Sequence, residues 1–387
     1  MKYGLIGSPL SQSFSPELHA LLGDPDYTLC EISDPAAFLK ARDFCGVNVT
    51  IPYKQAVLSC LDELSPDARE TGAVNTILNR GGTLYGDNTD LGGLLDLIAH
   101  TGIEVAGKHV LILGTGGTAH TAAVACKRLA AKKISFASRT NPACLTYDQA
   151  ERSDAEVVIN ATPRGMFPFE NDAPFALPAS VTGVLDAVYH PLRTDLVLSA
   201  QTRGIKAAGG MYMLVSQAAR SFALFHGISY DPAQTETVYR AFLSRKENTV
   251  LIGLPGCGKT TYGKRLAAET HRPFVDTDSL LGDIPALFAS VGEEGFREKE
   301  TEVVRALSRE TGLVIATGGG TVLRDENVRL LKRNGRLLFL DRPVDELLPT
   351  PDRPLADTKE KLFALAKTRL PRYLEVCDET LKKEDFQ

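Results

Sequence analysis

Short runs of β-branched and aliphatic residues recur along the chain, and longer stretches with apolar positions at helical spacing lie between them. The runs fall at 110–113, 134–137, 157–160, 184–187, 250–252, 314–316 and 337–340, and another, ending in Gly7, opens the chain. Helices are expected over 119–129, 235–243 and 261–270 among others. Strand-length runs alternating with amphipathic stretches predict an α/β fold, with parallel sheets covered by helices on both faces. No repeat of fixed period and no low-complexity tract interrupts this alternation.

A chain of 387 residues, at about 150 residues per domain, suggests two or three domains. One boundary is expected near residue 91. A second is expected at the charged segment 244–248, which divides the chain into a part ending near 245 and a part spanning 248–387. So short a joint predicts two halves close together rather than held on a flexible tether.

Composition narrows the classes. A hydrophobic content of 43% and a charged content of 24% are those of soluble globular protein. The net charge of −5 and the lack of a basic stretch argue against nucleic acid as a partner. No apolar run is long enough to span a bilayer, and the N-terminus turns polar too early for a signal peptide. Seven scattered cysteines without a Cys-x-x-Cys suggest reduced thiols and a cytoplasmic location, and no structural metal is expected. The sequence leaves oligomer formation open.

Two different glycine-rich loops follow strand-like runs. The first, Gly114-Thr115-Gly116-Gly117, has the glycines that a pyrophosphate at a helix N-terminus requires. A tight strand-to-helix turn without a ligand is the alternative. The next strand ends in Ser138-Arg139-Thr140 rather than in a carboxylate. An arginine there pairs with a 2′-phosphate and favours NADP over NAD, against the alternative of a solvated surface arginine. The second loop, Gly253-Leu254-Pro255-Gly256-Cys257-Gly258-Lys259-Thr260, fits Gly-x4-Gly-Lys-[Ser/Thr] at every position. It predicts an ATP site over Gly256, Cys257, Gly258, Lys259, Thr260 and Thr261, with Lys259 on the terminal phosphates and the Thr260 hydroxyl on Mg²⁺. Cys257, inside the loop, offers a thiol to alkylating reagents.

Polar clusters precede the first loop: Ser13-Phe14-Ser15, Asn48-Val49-Thr50-Ile51-Pro52-Tyr53-Lys54, Asn75-Thr76 and Asp87-Asn88-Thr89-Asp90. Further on come Asn160-Ala161-Thr162-Pro163-Arg164-Gly165-Met166, Asp186-Ala187-Val188-Tyr189 and 209–217. Together these closely resemble the shikimate dehydrogenase family over roughly residues 3–228. The resemblance implies a substrate-binding domain at 1–90, completed by about 211–245, and a Rossmann-like NADP domain at 91–210. It implies Ser13 and Ser15, helped by Tyr189, on the substrate carboxylate, and Thr50, Asn75 and Gln217 on its hydroxyls. Lys54 and Asp90 would be the catalytic pair, in place of a surface salt bridge, and Gly210 and Met213 would face the nicotinamide. Gln12, Leu91 and the absence of a second basic residue after Arg139 depart from the family's pattern.

The residues after the second loop resemble shikimate kinase over roughly 249–378, more than the related gluconate kinases. The resemblance gives Asp276 a part in holding Mg²⁺ and places Asp278 at the substrate hydroxyl. Arg297 and Arg369 would clamp the carboxylate, Gly318, Gly319 and Gly320 would offer backbone N–H groups, and Arg353 would be the lid arginine. The segment 341–355 is short and broken by prolines, which predicts impaired lid closure and either weakened nucleotide affinity or some hydrolysis of ATP without transfer. The two resemblances imply consecutive steps, reduction of 3-dehydroshikimate with NADPH and phosphorylation of the shikimate formed. An active dehydrogenase with a kinase half degraded into a sensor is the competing expectation.

Overall fold

The apolar runs close into three sheets. The structure is a computed structural model and describes residues 2–11, 13–168, 175–348 and 357–386. The chain divides into two compact units, Met1–Phe242 and Leu243–Gln387.

The first unit holds two sheets. One is built from β1 (Tyr3–Gly7), β2 (Thr28–Glu31), β3 (Gly46–Val49), β4 (Glu63–Leu64), β5 (Thr76–Arg80) and β6 (Thr83–Asp87), in the order β2-β1-β3-β5-β6-β4. It departs from the wholly parallel expectation: β5 runs antiparallel to both β3 and β6. The β5–β6 pairing follows from the two-residue turn Gly81-Gly82, with φ of 61° and 97°, which folds β6 straight back on β5. Two consecutive residues at positive φ match the twist of a tight hairpin, and glycine adopts them without a Cβ clash.

The second sheet contains β7 (His109–Leu113), β8 (Lys133–Ala137), β9 (Val157–Asn160), β10 (Gly183–Asp186) and β11 (Lys206–Ala208), all parallel, in the order β11-β10-β9-β7-β8. The chain reverses direction across the sheet at β7, so a crevice opens at that strand's carboxyl end, where Gly114 begins its loop. Helices Thr89–Thr101 and Met211–His226 pack along one another. Their approach depends on Gly93, where a Cβ would stand 2.8 Å from the Met213 carbonyl oxygen.

The second unit has one parallel sheet: β12 (Asn248–Ile252), β13 (Phe274–Asp276), β14 (Val314–Ala316), β15 (Gly335–Asp341) and β16 (Glu379–Lys382), in the order β13-β14-β12-β15-β16. The central β12, buried along most of its length, feeds the second glycine loop. The helix before it, Pro232–Lys246, runs beyond the expected 235–243 and takes in most of the charged segment. Arg245 and Lys246 lie in its last turn, where cations favour the helix dipole. Among the described residues no helix is long and apolar enough to cross a membrane.

Candidate active sites

In the first unit, strand ends and helix starts deliver the expected residues. Asn88 caps helix Thr89–Thr101 by accepting the Leu91 N–H at 3.1 Å, which sets Asp90 in the first turn. Lys54, just beyond β3, donates to Asp90 Oδ2 at 2.6 Å, and the two side chains are 19% and 9% exposed. Such shielding distinguishes this pair from a solvated surface bridge, because the attraction strengthens as water is excluded.

Asn75 sits beside the pair. Its Oδ1 accepts the Thr89 N–H at 2.7 Å and its Nδ2 donates to Thr89 Oγ1 at 2.9 Å, while Gln217 Oε1 lies 3.5 Å away. Ser13 and Ser15 form a second group, their hydroxyls 3.2 Å apart at the start of helix Ser15–Leu22. Hydroxyls at a helix N-terminus suit an anion. Tyr189 reaches this group through Phe14, the ring centroids 5.5 Å apart, and burial pushes its phenol above the usual range. Thr50 covers Gly7, where a Cβ would be 2.4 Å from Thr50 Cγ2.

The dinucleotide-type loop lies against this site. Gly114 has φ 106°, and a Cβ there would be 2.8 Å from Thr162 Cγ2. Gly116 caps helix Gly117–Arg128 and has nothing within 4 Å of its Cβ position, so the loop leaves room where a phosphate would approach. A Cβ on Gly117 would stand 3.9 Å from Lys54 Cβ, so the helix N-terminus faces the lysine. Ser138 Oγ accepts the N–H groups of Thr140 and Asn141 at 3.2 and 3.1 Å, a turn that leaves Arg139 exposed. Gly210 and Met213 also answer packing demands. A Cβ on Gly210 would meet the Ala187 carbonyl oxygen at 2.4 Å, and Met213 joins a core group with Leu91 and Ile112.

Sequence reasoning missed the polar layer behind Asn75. Asn48, Thr76, Thr89 and Ser221 are buried and hydrogen-bonded to one another, and Tyr27 donates to Asn48 Oδ1 at 2.8 Å. The available signal was Asn48 itself, a polar residue between valines in a buried strand. Asp186 was quoted for its motif without its role. Fully buried, it accepts from Thr194 Oγ1 (2.6 Å), the Val188 N–H (2.9 Å) and Asn160 Nδ2 (2.9 Å), tying together the loops that follow β9 and β10. Burial pushes its carboxyl up to about 7 against the pull of these bonds.

In the second unit, Gly253, Gly256 and Gly258 take φ of 146°, 79° and 104° through the loop. Lys259 opens helix Lys259–Thr270 and donates to the carbonyls of Gly253 and Leu254 at 2.9 and 3.0 Å. Thr260 and Thr261 follow on its exposed side. Cys257 is buried, which shields the thiol that the sequence offers to alkylating reagents. Thr260 Oγ1 donates to Asp276 Oδ2 at 2.7 Å, and a hydroxyl beside a carboxylate is the hard-oxygen donor set that suits Mg²⁺.

Three expected residues converge on the glycine triplet. A Cβ on Gly318 would be 2.8 Å from Asp278 Oδ1, one on Gly319 3.3 Å from Arg369 Nη1, and one on Gly320 2.4 Å from Arg297 Nη2. Any larger residue here displaces a guanidinium or a carboxylate. Glu300, buried and not anticipated, holds Arg297 Nη1 at 2.9 Å and accepts from Thr321 Oγ1 at 2.6 Å. Its signal was its place three residues after Arg297 on helix Ile284–Leu307. Burial, with the like charge of Arg297 as a smaller cause, pulls the Arg369 guanidinium below its usual value. Two guanidinium groups sharing one buried site favour an anionic ligand. Arg353 lies outside the described residues, as does the lid segment from 349 on.

Comparison with known proteins fits both geometries. Residues 5–77 match the family model for the shikimate dehydrogenase substrate binding domain, and residues 255–387 match the model for shikimate kinase. A shikimate dehydrogenase (NADP(+)) of Symbiobacterium thermophilum is 34% identical over 260 residues, spanning 58% of this chain and 88% of the relative. The chain belongs to the shikimate dehydrogenase family. A further shikimate dehydrogenase (NADP(+)), from Pyrococcus abyssi, is 37% identical over 264 residues, spanning 63% of this chain and 97% of the relative. Among solved structures, shikimate dehydrogenase 1 from Peptoclostridium difficile aligns with a TM-score of 0.57 at 31% identity, covering 62% of this chain and 98% of its own. The Thermus thermophilus shikimate 5-dehydrogenase, solved in complex with NADP(H) and shikimate, aligns with a TM-score of 0.56 at 30% identity, covering 62% and 99%. The shikimate dehydrogenase likeness thus covers about the first unit, and the shikimate kinase match starts within the second loop.

Proposed function

We propose that this one chain reduces 3-dehydroshikimate to shikimate with NADPH in its first unit and phosphorylates shikimate to shikimate 3-phosphate with ATP in its second. The main support is the pairing of a shielded Lys54–Asp90 bridge beside a dinucleotide-type helix N-terminus with a second unit in which two arginines and Asp278 meet a glycine triplet.

NADPH, when bound, supplies the hydride that reaches the ketone carbon. The former carbonyl oxygen then needs a proton, and Lys54 Nζ delivers it while Asp90 holds the amine in place and stabilises its charged form. Ser13, Ser15 and Tyr189 hold the substrate carboxylate, and Thr50, Asn75 and Gln217 hold its hydroxyls. In the second unit Lys259 leaves its two carbonyls for the phosphates of ATP, and Thr260 and Asp276 hold Mg²⁺. Arg297 and Arg369 fix the shikimate carboxylate, so that Asp278 meets the hydroxyl to be phosphorylated.

The test is to follow NADPH oxidation on adding 3-dehydroshikimate and ADP formation on adding shikimate with Mg-ATP. Both signals are expected. NADPH oxidation without shikimate-dependent ADP would favour the second reading, in which the kinase half serves as a sensor.

A further inference from the structure

We infer that Ser221 is a positioning residue of the reductase site, fixing the Asn75 amide with its NH₂ group turned toward Gln217 and the substrate hydroxyl. The inference rests on the dehydrogenase reading above and deepens it. Ser221 is fully buried on helix Met211–His226, one turn after Gln217. Its hydroxyl lies 2.9 Å from the Gln217 carbonyl and 3.0 Å from both Thr76 Oγ1 and Thr89 Oγ1, and it accepts from Asn48 Nδ2 at 2.7 Å.

The direction of each bond follows from the donors available. Asn75 Oδ1 faces the Thr89 main-chain N–H, a donor that cannot turn round. Asn75 Nδ2 therefore donates to Thr89 Oγ1. Because the Ser221 proton is taken by the Gln217 carbonyl, the 3.0 Å contact between the two hydroxyls is made by Thr89 donating to Ser221. Ser221 in turn donates to the Gln217 main chain, which ends the sequence on a carbonyl with no proton to give. The second Asn75 amide proton points to Gln217 Oε1 at 3.5 Å, too far for a strong bond and open to a substrate oxygen.

Removing the Ser221 hydroxyl deprives the Thr89 proton of its acceptor and Asn48 of one partner. The Thr89 hydroxyl then turns back on Asn75 Oδ1, 3.2 Å away, and the Asn75 NH₂ group loses the acceptor that holds it in place, although the Thr89 N–H still marks the carbonyl side of the amide. Lys54 and Asp90 lie outside this ring of hydroxyls, so proton delivery is untouched. A misplaced hydroxyl ligand weakens substrate binding more than turnover.

The test compares the full-length wild type with Ser221→Ala, Thr76→Val, Asn75→Ala and the double variants that add either change to Asn75→Ala. KM, kcat and the pH profile of 3-dehydroshikimate reduction are measured, with thermal midpoints alongside. The expected result for Ser221→Ala is a KM raised about three- to tenfold, with kcat and the pH profile little changed. Thr76→Val keeps the side-chain volume but removes the 3.0 Å contact with Ser221 and the 3.1 Å bond to Asn75 Oδ1, so it shifts KM the same way and covers the case in which Ser221→Ala fails to fold. In the Asn75→Ala background neither change raises KM further, whereas the loss of thermal stability persists. KM effects that add to Asn75→Ala, or an unchanged KM in both single variants, would overturn the inference and leave the dehydrogenase reading standing. A wild type that does not turn over 3-dehydroshikimate would overturn both.

Discussion

Single buried groups set the conditions under which each site holds its shape. Asp186 binds three donors yet keeps a carboxyl pushed up to about 7 by burial, above its ordinary value of 3.8. A raised folded-state value means that its contribution to stability is full below about 4 and is lost as pH rises through about 7. The loss runs at up to about 1.4 kcal/mol per pH unit within that window. Asp186→Asn cannot titrate, and Thr194 can still bond to it by accepting. The variant should therefore lose less stability than the wild type between about pH 5 and about pH 8, read from urea midpoints; parallel curves would contradict this. At the second site, Gly320→Ala puts a Cβ where Arg297 Nη2 now stands. The shikimate KM should rise by about tenfold or more while the ATP KM stays put, as initial rates would show. Lys54, Asp90 and Arg297 were legible in the sequence because each lies in a motif that resembles its family's pattern. Ser221 and Glu300 were not, because what they do depends on Asn48 and Thr321, which folding brings to them from distant strands and turns.

At the scale of elements, the alternation of apolar runs and amphipathic stretches located β7 to β10 of the second sheet and the three central strands of the third closely, but not the edge strands β11, β13 and β16. It failed on the first sheet, where a hairpin replaces a crossover. The signal for that hairpin was Gly81-Gly82, two residues suited to consecutive positive φ, and the alternation alone could not reveal it. Replacing both by alanine should destabilise the chain by about 1–2 kcal/mol for each residue forced to positive φ, measured by urea unfolding. An unchanged midpoint would show that β5 and β6 tolerate another turn. The C-terminal end of helix Pro232–Lys246 was misplaced for a related reason. Charged residues read as a joint when only their polarity is considered, yet they are favoured in the last turn of a helix.

For the whole molecule, the two glycine loops made a double enzyme legible at once, and the folded chain sets each loop in its own compact unit. If each unit works with its own residues, Lys54→Ala should lower 3-dehydroshikimate reduction by about 10²–10⁴-fold and leave phosphorylation of added shikimate unchanged. Lys259→Ala should do the reverse. Loss of both activities in either variant, with the fold retained by circular dichroism, would contradict this independence. The most direct measurement gives the intact chain 3-dehydroshikimate, NADPH and Mg-ATP together and follows the products by mass spectrometry. Two catalytic units acting in sequence predict NADPH consumption followed by shikimate 3-phosphate; shikimate that accumulates without its phosphate, or NADPH that is never consumed, would contradict them.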